Sequence, residues 1–179
     1  MSVTLNKNNK HRKSPSEKYL TFCLENEDYG VEILKVKEII GIMEITKVPR
    51  TPEFVRGVVN LRGKVIPIID LRRKFGMDEK EDTEQTCIIV VEIFQKESFL
   101  MMGIIVDSVS EVLDIDDNHV ENTPAFGVSV STSFIKGMAK TKDGVKILLN
   151  IEEVLTVEEL QSIAQTDTEA LAEPSTETP

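Results

Sequence analysis

Few side chains in this sequence have the types and spacing that chemistry demands. His11 and His119 are its two histidines. The first lies in an Asn/Lys/Ser-rich N-terminal stretch. The second ends the polar run Asp116-Asp117-Asn118-His119, where an exposed turn residue is a simpler reading than a general base. Asp114, Asp116, Asp117 and Asn118 gather oxygen ligands, but the run lacks the glycine and the bidentate Glu of an EF-hand loop. Asp70 and Asp107 are the other candidates for a carboxylate site, and both are read more simply as capping or bracing turns. Cys23 and Cys87 sit in apolar, strand-like runs without a CxxC neighbour, which suits buried free thiols in a reducing compartment better than a disulfide or a reactive site. Gly-rich phosphate loops, a GxSxG elbow and Cys/His metal spacings do not occur. The residues point away from catalysis, a metal ion or a cofactor, and toward binding.

Charge places a possible binding face. The net charge is -10, yet residues 50–75 hold Arg50, Arg56, Arg62, Lys64, Arg72, Arg73 and Lys74 against Glu53 and Asp70. Such a basic middle in an acidic chain either docks an acidic partner surface or is solvated charge around two turns and a short helix. Nucleic acid is disfavoured by the net charge and by strands without interleaved aromatic and basic residues. No apolar run approaches the length of a membrane span, and no signal peptide opens the chain, so a cytoplasmic protein without membrane insertion is expected.

The elements that must position these residues are short strands. Apolar runs at 19–24, 39–45, 57–61, 64–71, 86–94, 99–106, 109–113 and 145–151 are punctuated by turn residues. Arg62-Gly63 and Asp143-Gly144 each suggest a hairpin. Pro67 puts its strand at an edge or at a bulge. Ile33–Glu38, Thr51-Pro52 and Leu71–Phe75 each allow about one helical turn, the last closed by Gly76. Residues 77–85 are a charged linker, and 152–164 suit a terminal helix. A basic arm at 1–16 and an acidic, Pro/Thr-rich tail at 166–179 are expected to be disordered.

The two halves of the chain match. At an offset of 80, Phe54-Val55-Arg56-Gly57-Val58 lies on Phe134-Ile135-Lys136-Gly137-Met138, and Ile68-Ile69-Asp70-Leu71 lies on Leu148-Leu149-Asn150-Ile151. At an offset of 73, Gly30-Val31 meets Gly103-Ile104, Val36 meets Val109, and Glu38-Ile39-Ile40 meets Glu111-Val112-Leu113. Matched glycines and polar residues make this an internal duplication. It implies an all-β fold with short helices, built as two small barrels that share an apolar contact. A pseudo-two-fold pair of lobes also creates a groove between them.

With the repeat in hand, several stretches resemble the CheW family. They are Tyr29-Gly30-Val31 with Ile33-Leu34-Lys35-Val36, Gly57-Val58-Val59-Asn60-Leu61-Arg62-Gly63 with Val65-Ile66-Pro67-Ile68-Ile69-Asp70-Leu71-Arg72, Val106-Asp107-Ser108-Val109 with Glu111-Val112-Leu113, and Phe134-Ile135-Lys136-Gly137. The resemblance implies two SH3-like five-stranded barrels on a common apolar core. Residues 17–160 would form one such domain. Its first lobe is expected at about 25–83, and its second at about 17–24 plus 84–151. It also implies a non-enzymatic adaptor, without a cofactor, that joins the cytoplasmic tip of methyl-accepting chemoreceptors to the CheW-like regulatory domain of the kinase CheA. The larger relatives CheA and CheV carry further domains for which this length leaves no room. A monomer in solution, recruited to membrane-associated receptor arrays, is expected.

Two partner surfaces are expected. The first is the hairpin Asn60-Leu61-Arg62-Gly63-Lys64, whose repeat mate Lys140-Thr141-Lys142-Asp143-Gly144 lacks the Asn-Leu-Arg identity. Arg62 suits bidentate contact with carboxylates or carbonyls, or braces its own loop. The resemblance adds Gly57. The second is the inter-lobe groove, with Val36, Glu38 and Ile39 on one wall and Val109 and Val112 on the other. These apolar residues either receive a helical apolar stripe or belong to the core.

Overall fold

The computed structural model describes residues 16–95, 97–124, 132–156 and 158–162. The expected disordered tail, and all of the expected arm except Ser16, lie outside them. Ser16 itself opens the first strand.

Strands β1 (Ser16–Leu24) and β2 (Glu27–Glu32) form a hairpin, followed by a 3-10 turn at Ile33–Lys35 and β3 (Val36–Gly41). Hairpin β4 (Val55–Leu61) and β5 (Lys64–Asp70) runs into the one-turn helix α1 (Leu71–Lys74). Next come β6 (Cys87–Gln95), β7 (Ser98–Val106), β8 (Ser108–Asp116), a 3-10 turn at Asp117–His119 and the short β9 (Val120–Glu121). Hairpin β10 (Ile135–Thr141) and β11 (Gly144–Leu149) ends in a 3-10 turn at Ile151–Glu153.

Local chemistry accounts for the helical pieces. Asp70 caps α1 by accepting hydrogen bonds from the Arg72 and Arg73 amides, and Gly76 (φ 74°) closes it. Around Thr51-Pro52 there is a single reverse turn, with the Val55 amide on the Pro52 carbonyl at 2.9 Å, rather than a helix. The expected helix at 152–164 is two pieces in its described part. Asn150 caps the 3-10 turn, and Thr156 restarts the chain as a helix over 158–162 through a reciprocal capping pair with Glu159.

The duplication is written into the topology. One sheet runs β3-β6-β7-β5-β4 and the other β8-β1-β2-β11-β10-β9. Strand for strand, the first five of each are repeat mates. The sixth position, β9, has its counterpart in the isolated bridge from Thr46 to Val58. Each sheet contains one parallel contact, β5 with β7 and β2 with β11, at the matched glycines Gly103 and Gly30. A Cβ on Gly103 would meet Ile68 and Ile88 side-chain atoms at 2.6 Å, so any larger residue would force those side chains to shift.

These parallel contacts correct the expected lobe boundaries. The five-stranded lobe is the continuous stretch 36–106, whereas the six-stranded lobe joins β1 and β2 to β8 through β11. The reason is non-local. In each lobe a strand bearing a matched glycine lies parallel to the last strand of a hairpin, and for β2 that partner is β11. Pro67 is corrected too, because β5 is an interior strand and the register shift of this hairpin lies on β4, between Val55 and Gly57. Val58, opposite Pro67, uses both its backbone groups on Thr46, and pairing of β5 with β7 begins only at Ile68. The missing N–H therefore leaves no gap in either ladder.

Burial follows from strands covered on both faces. Ile66, Ile68, Ile88, Val90 and Ile105 fill the five-stranded lobe, and Tyr19, Ile115, Ala139 and Leu148 fill the other. The alternate residues, among them Ile69, Ile89, Val91, Ile104, Phe22, Val31 and Leu149, form the larger shared core between the sheets. A ladder of rings crosses it, Phe22 to Tyr29 to Phe75 to Phe134, with centroids 5.8, 6.0 and 4.9 Å apart.

Candidate protein-docking site

Asn60, Leu61, Arg62 and Gly63 form the tip of the β4–β5 hairpin. Arg62 (φ 54°) and Gly63 (φ 86°) are both left-handed, as a two-residue turn matched to strand twist requires. The Asn60 side-chain oxygen accepts the Gly63 amide at 2.9 Å and holds that turn, while Leu61 packs back on the lobe interior. The Arg62 guanidinium donates to both carboxylate oxygens of Glu38, at 3.0 and 2.7 Å. Its side chain is 77% exposed, against 21% for Glu38. This fork joins the hairpin to β3, so two of the residues assigned to separate surfaces belong to one. Gly57 serves the same region from below. Its φ is 145°, and a Cβ there would run into the Thr46 carbonyl, so only glycine lets that segment cross β4.

β3 and β8 are equivalent edge strands of their sheets. Val36 and Val109 are half-buried against the shared core, whereas Ile39 and Val112 are 45% and 49% exposed. Each strand thus supplies one valine to the core and one aliphatic side chain to solvent. None of Val36, Ile39, Val109 and Val112 lines the clefts described below.

The basic middle is not an open cationic face. Arg56 pairs with Asp70 and Asp82, Arg72 with Asp107, Arg73 with Glu79, and Lys74 with Glu159. Arg50 and Lys64 have no ion-pair partner among the described residues. The most enclosed of these pairs is a node between lobes. Arg72, 8% exposed, donates to both oxygens of Asp107 at 2.7 and 2.6 Å and to the Asp78 carbonyl at 3.1 Å. Asp107 also accepts the Glu25 amide, from the β1–β2 turn of the other lobe, at 2.8 Å. Burial alone would raise Asp107, but the Arg72 and Glu25 hydrogen bonds outweigh it and hold its carboxyl below the usual range.

The other chemical candidates take structural places. Asp70 caps α1 and Asp107 braces the node. His119 ends an exposed 3-10 turn. Cys23 and Cys87 are free and half-buried rather than fully buried, and burial is the largest cause of their raised thiol pKa values. No cluster of three or more metal-ligating side chains occurs among the described residues.

Sequence reasoning passed over two features. The Arg72 node was visible only as charge, since nothing local ties residues 72, 107 and 25. The other is an exposed aromatic pair, Phe94 and Phe99, 50% and 69% exposed with centroids 5.0 Å apart. In the β1–β2 hairpin the glycine sits in the fourth pair from the turn, and in β6–β7 in the sixth. The Phe pair is part of that extension, and counting back from the matched glycines would have found it.

Comparison with known proteins agrees with this architecture. The family described as the CheW-like domain matches residues 18–159. A chemotaxis protein CheW of Klebsiella aerogenes is 40% identical over 144 residues, 80% of this chain and 84% of that protein. One of Bacillus subtilis is 31% identical over 147 residues, 82% and 91% of the two chains. The crystal structure of the scaffolding protein TtCheW from Thermoanaerobacter tengcongensis superposes with a TM-score of 0.71 at 39% identity, covering 81% of this chain and 96% of that one.

Proposed function

The chain belongs to the CheW-like family of non-enzymatic chemotaxis scaffolds, and from that membership we propose that it couples methyl-accepting chemoreceptors to the regulatory domain of the kinase CheA. The observation that carries the coupling surface is the Arg62–Glu38 fork at a hairpin tip whose duplicate lacks both the arginine and its partner geometry. A duplicated lobe pair needs no arginine there to fold. An exposed, pre-oriented guanidinium suits a protein partner that offers a carboxylate or carbonyl.

The edge aliphatics Ile39 and Val112 are read as the exposed parts of the receptor-facing groove, with Val36 and Val109 as its floor. A receptor tip would lay a helical apolar stripe there. Each contact is small. Arrays hold both partners close, so modest pairwise affinities suffice. The protein acts as a cytoplasmic monomer that docks on arrays without inserting in the membrane. No described helix is long and apolar enough to cross one.

The test is calorimetry with a CheA regulatory domain and with a receptor cytoplasmic fragment from the same organism. The expected result is binding to both, with Arg62→Ala losing one or both while melting like the parent. Undiminished binding of Arg62→Ala to both partners would remove the hairpin from the proposal. Absence of binding by the parent protein would remove the coupling reading itself.

A further inference from the structure

The linker between α1 and β6 behaves as a ligand. Residues 78–85, Asp-Glu-Lys-Glu-Asp-Thr-Glu-Gln, carry five acids and one lysine. All eight are exposed, and they form neither strand nor helix. Charge holds this strap to the body. Glu79 pairs with Arg73, Asp82 with Arg56 at 2.7 Å, and Lys80 with Asp107 at 3.9 Å, while the Asp78 carbonyl accepts from Arg72. It is an acidic, irregular peptide segment laid across the arginines of the basic middle, and it happens to be covalently attached.

The strap does not fill the surface it crosses. A cleft of about 470 Å³ lies between it and the loop at 47–53, with Lys47, Thr51, Glu53, Arg56, Arg73 and Glu79 in its walls. A second, also about 470 Å³, lies between Thr83–Gln85 and the Cys23, Asp107 and Ser108 region. The wall of the first cleft carries cationic charge that the strap leaves unused. Lys47 is exposed and has no ion-pair partner among the described residues, and Arg50, on the same loop but not in the cleft wall, has none either. An unpaired cation in the wall of a concavity, with a second on the loop that bounds it, stands out in a chain of net charge -10.

We propose that this cleft is a docking site for an acidic, extended peptide segment of a partner protein, which enters by displacing the strap. The strap supplies the pattern. Glu79 and Asp82 are three residues apart, about 10 Å in extended chain, and each meets one arginine. A partner carboxylate pair at that spacing would take over Arg56 and Arg73. Further acids would reach Lys47 and Arg50, which the strap cannot satisfy. Exposed ion pairs are individually weak and screened by salt, so the strap is easily released and the competition is decided by the two extra cations. The inference stands on the strap and cleft alone and does not depend on the coupling reading.

The probe is a labelled (Glu-Ser-Ser)₄ peptide, with (Gln-Ser-Ser)₄ as control, titrated into the full chain at low and high salt. Wild type is expected to bind weakly. Glu79→Gln with Asp82→Asn should bind about five-fold tighter, as expected if roughly 1 kcal/mol of strap competition is removed. Adding Lys47→Ala and Arg50→Ala should reverse that gain, and peptide binding to wild type should speed amide exchange across 78–85. Melting curves confirm that each variant folds. Binding no tighter in the strap variant, or unchanged by loss of Lys47 and Arg50, would overturn the proposal. Preference for inorganic polyphosphate over the peptide would overturn the peptide assignment.

Discussion

Replacing Arg72 with methionine isolates the node between the lobes. Methionine keeps most of the buried stem and removes the guanidinium, leaving Asp107 with the Glu25 amide at 2.8 Å and Lys80 at 3.9 Å. Breaking a buried pair by removing one partner costs about 3–5 kcal/mol. The surviving contacts favour the low end, so about 3 kcal/mol is expected. For a domain of this size that lowers Tm by roughly 6–12 °C. Restoring balance with Asp107→Leu in the Arg72→Met background should recover a large part of the loss, since an apolar pair of similar volume is tolerated. The chain has no Trp, so far-UV circular dichroism in a urea series is the appropriate assay. The pH dependence has a definite sign. The folded pKa of Asp107 is depressed, so its contribution is present above its unfolded pKa and is lost as pH falls through the lower folded value. The gap between parent and Arg72→Met should therefore narrow on the acid side, below about pH 4. A cost under about 1 kcal/mol, or strictly additive effects of the two substitutions, would refute the claim that the pair is enclosed and coupled.

Arg62→Ala should change stability by less than about 1 kcal/mol, because an exposed ion pair contributes little, and its effect should appear in partner titrations instead. Gly57→Ala should destabilise by about 2 kcal/mol or more in urea melts, from left-handed strain and the collision with the Thr46 backbone. Val36→Asp should cost about 2 kcal/mol or more by placing a carboxylate against the shared core, whereas Ile39→Asp on the same strand should cost about 1 kcal/mol or less and weaken receptor binding. Equal losses of stability at the two positions would show that the alternation along β3 is misread.

Much of the site was legible because it is local. Asn60-Leu61-Arg62-Gly63 announces a tight turn by residue type alone, and the structure places both turn residues in the left-handed region that such a turn needs. Asp70 two residues before an Arg-Arg pair reads as a cap and is one. What Arg62 does with its guanidinium was not legible. Glu38 is 24 residues away and reaches it only because β3 and the β4–β5 hairpin belong to the same lobe. The basic middle was misleading for the same reason. A run of cations in sequence says nothing about carboxylates brought to it from positions 79, 82, 107 and 159.

By itself, the order of residues determined the strands, their turns and the duplication, since alternation, turn propensity and matched glycines are properties of short windows compared with one another. It also excluded recognisable catalytic constellations, because those require residue types that are absent or badly spaced. Tertiary structure alone decided which strands share a lobe, why Pro67 sits inside a sheet, and that the matched Val36 and Val109 meet the core while the matched Ile39 and Val112 face solvent. Those outcomes depend on contacts between segments up to more than a hundred residues apart, such as Gly30 against Leu148. Their free energy belongs to neither segment until the two sheets close on a common core.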